Sequence, residues 1–132
     1  MFVDTTFCID LLRETRRGGG PATEALRRMG NAPLLASVFV ACELHAGARL
    51  SAQPERELRH VERFIENLTI VYPDSTFPVA YAELEAALRR AGIPIPTMDL
   101  LIATTAKMHG IPLMTRDAGH FRHIPGLVVE SY

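Results

Sequence analysis

Short apolar runs, each too brief to make a helix, alternate with longer stretches of helical spacing along the whole chain. Met1–Val3, Pro33–Ala36, Thr69–Tyr72, Ile111–Thr115 and Leu127–Glu130 read as strands. Between them Phe7, Leu11 and Leu12 share one face of a helix running to about Arg16, and Ala22–Met29 forms a shorter one. Val38–Ala46 is almost wholly apolar, while Leu58, Val61, Ile65 and Leu68 recur at helical spacing within Gln53–Leu68. Phe77, Tyr81, Leu84 and Leu88 repeat in the same way up to Gly92, which suits a left-handed cap. Such alternation predicts an α/β fold with a mainly parallel sheet covered by helices on both faces.

With 132 residues, 48% of them apolar, the chain can bury a real core but not two, so residues 1–132 read as a single domain. Gly18-Gly19-Gly20 is too short to link domains, and no internal repeat or low-complexity segment occurs.

Acidic residues fall at the ends of these runs. Asp4 follows the first strand, where Thr5 or Thr6 can cap the next helix, and Ser37 can cap the helix that carries Glu43. Pro94-Ile95-Pro96 forbids regular structure until Thr97, so Asp99 opens a mostly buried helix. Gly110 and Pro112 end that helix, and the strand after it delivers Asp117 at its carboxyl end. Ligands of parallel sheets sit just beyond that edge.

Composition narrows the partners. Lys and Arg number 14 against 15 Asp and Glu, so any polyanion must be met by clustered arginines rather than by global charge. Cys8 and Cys42 sit in apolar helical patterns without zinc spacing and read as reduced core thiols. No run approaches the roughly eighteen apolar residues of a membrane span, and the start lacks the basic and apolar regions of a signal peptide, so a soluble cytoplasmic protein is expected.

Singly, Asp4 and Asp117 could be caps or turn formers, and Asp99 could complement a helix dipole. Glu43 is harder to dismiss, because an unpaired carboxylate among apolar residues costs several kcal/mol unless it takes up a proton or finds an arginine. Four acids meeting at one sheet edge would need a counter-charge, which hard divalent cations with oxygen ligands supply. Magnesium or manganese held there suits phosphoryl chemistry, and the residues point to a metal-dependent phosphodiesterase or nuclease.

Phe2-Val3-Asp4-Thr5-Thr6, Glu43-Leu44-His45-Ala46-Gly47, Asp99-Leu100-Leu101-Ile102-Ala103 and Thr115-Arg116-Asp117-Ala118-Gly119-His120-Phe121 resemble PIN-domain ribonucleases, most closely the VapC toxins of toxin–antitoxin pairs. The resemblance runs through the closing Ile124-Pro125-Gly126-Leu127. It implies a three-layer α/β/α sandwich with a five-stranded parallel sheet, and Mg2+- or Mn2+-dependent cleavage of structured RNA such as tRNA or rRNA. It also implies a metal site of Asp4, Glu43, Asp99 and Asp117, supported by Thr5 or Thr6 and by Thr115. A cognate antitoxin and a homodimer are the expected partners, with no membrane role. Val40 and Thr6 depart from the threonine and asparagine common in relatives, which touches the supporting residues and not the acids.

On this reading Arg116 is a candidate phosphate contact, and Arg13, Arg16 and Arg17 are candidates for the rim of the groove. His120 and His123 read as turn and surface residues, and Asp10 as a solvated helix residue outside the site. Phe7, Leu11, Leu12 and the Leu58–Leu68 helix are expected to leave apolar surface for the antitoxin. Two rival readings are a non-catalytic metal- or RNA-binding module and another small metal phosphohydrolase. The latter would want a second acid where Thr6 stands.

Overall fold

The computed structural model describes all 132 residues. Five short parallel strands, β1 (Phe2–Val3), β2 (Leu35–Ser37), β3 (Thr69–Val71), β4 (Leu113–Met114) and β5 (Val129–Glu130), form one sheet in the order β3-β2-β1-β4-β5. Seven helices connect them: α1 (Thr5–Arg17), α2 (Pro21–Met29), α3 (Val38–Arg49), α4 (Pro54–Ile65), α5 (Phe77–Arg90), α6 (Thr97–His109) and α7 (Ala118–Phe121). The architecture is the expected three-layer α/β/α sandwich.

Central β1 fixes the register, since Phe2 lies between Leu35 of β2 and Leu113 of β4, and Val3 opposite Met114. Phe2, Val3 and Leu113 are fully buried, each side chain contributing about 1.5–3 kcal/mol through lost contact with water. From β1 the chain steps outward to β2 and β3, then crosses to β4 and β5 on the other side. The strand order thus reverses between β1 and β4, which opens a crevice at their carboxyl ends.

Helix α6 covers the core beneath that crevice with Leu100, Ile102, Ala103 and Ala106. Its buried Thr104 and Thr105 hydroxyls donate to the carbonyls of Leu100 at 2.6 Å and Leu101 at 2.9 Å, so neither is left without a partner. Gly110 closes the helix with φ 62°, a conformation that disfavours any side chain.

Several local expectations are revised. The strands are shorter than their apolar runs. Asp4 itself caps α1, accepting from the Phe7 N–H, so neither threonine does; Thr97 is the first residue of α6 rather than its cap. Ser37 caps α3 as expected. Phe7 and Leu11 are core residues and leave no apolar surface. Cys8 is buried, and burial pushes its thiol well above the ordinary range, but Cys42 is exposed. The glycine run has its own logic: Glu14 of α1 reaches across it and accepts from the N–H groups of Ala22 and Thr23 at 3.1 and 2.7 Å, capping α2 from outside.

Candidate active site at the carboxyl edge

Asp4 leaves β1 directly into the crevice and is 3% exposed. Its Oδ1 accepts from the Phe7 N–H and the Thr6 hydroxyl, both at 2.8 Å, and Oδ2 from the same hydroxyl at 2.8 Å and from Thr115 at 2.5 Å. Three donors occupy a group with about four acceptor sites, leaving room for one more electropositive partner. Burial pushes the Asp4 carboxyl above its ordinary range; Thr115, the Phe7 N–H and Thr6 pull it back, and the charge of Asp117 pushes it further up.

Thr115 is the first residue beyond β4, fully buried, and its hydroxyl also accepts from the Asp117 N–H at 2.9 Å. One hydroxyl therefore ties Asp4 to the turn that carries Asp117. Asp99 comes from the first turn of α6. Burial raises its carboxyl, His120 of α7 at 3.5 Å opposes the rise, and Asp117 adds to it. Asp117 thus acts on Asp4 and Asp99 alike, and none of the three pairs with a lysine or arginine.

Glu43, half-buried on α3, joins through Thr5, whose hydroxyl donates to Glu43 Oε2. No arginine pairs with it, so the salt-bridge alternative is excluded. Asp117 acts on Asp4 and on Asp99, Glu43 stands apart with Thr5 as its partner, and no three His, Cys, Asp or Glu side chains stand close enough, as placed, to chelate an ion. The carboxylate oxygens of Asp4, Asp99 and Asp117 are the donor type that a hard divalent cation takes. Magnesium is usually held through one or two carboxylates and keeps several waters, whereas a site of closed protein ligands would need the missing cluster.

Two features escaped sequence reasoning. His120 faces Asp99, and its only signal was a position three residues beyond Asp117 on the short α7. Asp10 is not solvated: its side chain is 13% exposed, and Oδ2 accepts from Arg116 Nη1 and from the Tyr132 hydroxyl, both at 2.8 Å. Of the expected rim arginines, Arg16 is held by Glu57 at 3.0 Å, while Arg13 lines a groove of about 250 Å³ between α1, α3 and α4 that also reaches Glu43.

The PIN-domain family profile matches residues 1–127. The tRNA(fMet)-specific endonuclease VapC of Salmonella typhimurium is 34% identical over 90 residues, 68% of each chain. Its counterpart of the same name in Shigella flexneri is 27% identical over 131 residues, covering 98% of this chain and 96% of that one. Among solved structures, DNA-bound VapBC from Salmonella typhimurium superposes with a TM-score of 0.88 at 28% identity, covering 98% of this chain and 96% of the other. On its strand order, its paired acids at the carboxyl edge and these likenesses, the chain belongs to the PIN-domain family and, within it, to the VapC ribonucleases.

Proposed function

We propose that this chain is the ribonuclease toxin of a toxin–antitoxin pair and hydrolyses phosphodiester bonds in tRNA with magnesium or manganese at Asp4, Glu43, Asp99 and Asp117. The observation that supports the site is the Thr115 hydroxyl, which donates to Asp4 and accepts from the Asp117 N–H at the crevice where the strand order reverses. Initiator tRNA is the first substrate to test, since relatives are named for it.

Asp4, Asp99 and Asp117 would hold the cation, which when bound lowers the pKa of water and offsets charge on phosphorus. Thr115 and Thr6 hold the Asp4 oxygens in one orientation before any ligand arrives. Glu43, with Oε2 taken by Thr5, keeps Oε1 free to orient the attacking water and accept its proton. In-line attack breaks the bond to the 3′ oxygen, which is protonated as it leaves, giving a 3′-hydroxyl and a 5′-phosphate. Arg116 offers its exposed guanidinium to a phosphate of the substrate.

The groove between α1, α3 and α4, floored by Ile9, Leu12, Leu44 and Val61, is the seat assigned to an apolar segment of the antitoxin. It replaces the Phe7 and Leu11 surface that the core absorbs. Homodimerisation is expected from the resemblance.

Incubating purified protein with initiator tRNA, with magnesium or manganese and then with EDTA, tests the enzyme. Cleavage should require the metal and vanish in Asp4→Asn; metal-independent cleavage by that variant would sink the assignment. Expression alone should arrest growth and co-expression of the neighbouring gene relieve it.

A further inference from the structure

Asp10 belongs to none of the acids assigned above, yet it is well enclosed and holds two partners from distant parts of the chain. Arg116 reaches it across 106 positions and Tyr132 across 122. The Tyr132 ring stands edge-on to Phe7 at a centroid distance of 5.1 Å, which aims its hydroxyl at Asp10 from the α1 side. Arg116 meets Asp10 through Nη1, while its side chain stays 57% exposed and makes no other hydrogen bond to a side chain. It immediately precedes Asp117. A guanidinium has five donors in a rigid fork, so one anchored nitrogen leaves the others pointing in a fixed direction.

A long arginine loses rotamer freedom when it grips a phosphate, and an anchor that removes that freedom beforehand strengthens the grip. An anchor that is itself nearly enclosed and negatively charged does this better than water can. We propose that Asp10 is a positioning residue of the ribonuclease: it sets the Arg116 guanidinium at the rim of the acids, where the free donors meet the phosphate being cut. This rests on the function proposed above.

A double-mutant cycle on an initiator tRNA transcript with magnesium separates positioning from mere structure. Asp10→Asn, still folded by circular dichroism, is expected to lower kcat/KM by about tenfold to a hundredfold, and Arg116→Ala at least as much. In the Arg116→Ala background, Asp10→Asn should change the rate by less than about twofold, because the side chain through which Asp10 acts is gone. Tyr132→Phe, which keeps the ring on Phe7, should stay within about threefold of wild type if the effect runs through Arg116. Wild-type rates for Asp10→Asn, or losses that multiply in the double variant, would overturn the proposal. If Asp10→Asn does not fold, Asp10→Glu takes its place: it must slow the wild type and be silent beside Arg116→Ala, and equal loss in both backgrounds refutes the role. A wild type that cuts no RNA with any divalent metal removes the ribonuclease reading and this proposal together; multiplying losses in an active enzyme remove only the role of Asp10.

Discussion

Thr115→Val keeps the shape of a fully buried side chain and deletes one hydroxyl that serves two acids. The hydroxyl donates to Asp4 Oδ2 at 2.5 Å and accepts from the Asp117 N–H at 2.9 Å. Loss of the charge-assisted bond costs about 1.5–3 kcal/mol and of the neutral one about 0.5–1.5, so about 2–4.5 kcal/mol in all. For a chain of this length that is a fall in Tm of about 7–16 °C. The pH dependence is sharper. Burial already holds the Asp4 carboxyl above its ordinary range, and Thr115 is the largest influence opposing it. Without Thr115 the folded pKa climbs further, so the native state binds a proton more tightly than the unfolded chain over a wider window. A raised folded pKa means that stability contributed by the proton is present at low pH and lost as pH rises through that pKa. The deficit of Thr115→Val relative to wild type should therefore be largest at neutral pH and shrink as pH falls through the raised Asp4 pKa. Thermal unfolding in EDTA, followed by circular dichroism from about pH 4 to 8, reads this directly. A deficit that stays constant or grows toward acid would refute the coupling between Thr115 and the Asp4 charge.

Other outcomes follow from the same geometry. Asp99→Asn gives up a helix-dipole interaction of about 0.3–1 kcal/mol but relieves burial of a charge and the field of Asp117, so in EDTA at about pH 7 it should melt no lower than wild type. It should nonetheless lose RNA cleavage and most of the rise in Tm on adding magnesium, and a lower metal-free Tm with activity intact would count against the site. Gly20→Ala would place a Cβ 2.5 Å from Glu14 Cδ, so it should displace the carboxylate that caps α2 and lower Tm, whereas retained stability would show that Glu14 re-seats. Gly47→Ala in the last turn of α3 meets nothing within 4 Å and should gain about 0.5–1 kcal/mol, a rise in Tm of about 2–4 °C.

Much of this arrangement was legible residue by residue. Ser37 announced the α3 cap, and Pro94-Ile95-Pro96 placed the α6 start that carries Asp99. The apolar runs marked all five strands but overran them, because burial continues past the last paired residue: Thr115 is fully buried and its N–H still donates to the Glu130 carbonyl at 2.9 Å, yet it lies beyond β4. At the start of α1 the sequence offers Asp4, Thr5 and Thr6 as caps, and only the fold selects among them, with Asp4 accepting from the Phe7 N–H. Asp10 was misplaced for a different reason. Helical spacing reports which neighbours in α1 share its face, and its partners come from beyond β4 and beyond β5. Cys42 carried an apolar context without burial, since the α3 face that it occupies is open.

The hydrogen bond from Thr115 to Asp4 spans 111 positions, and its geometry has a bearing on synthesis. Asp4 is therefore made 111 positions ahead of the hydroxyl that orients it, and Asp117 follows that hydroxyl. Chains that end before Thr115 lack both that hydroxyl and Asp117, and are expected to cut no RNA. The groove between α1, α3 and α4, by contrast, is built entirely from residues that precede β4, so a partner seated there would find its surface before the crevice is complete.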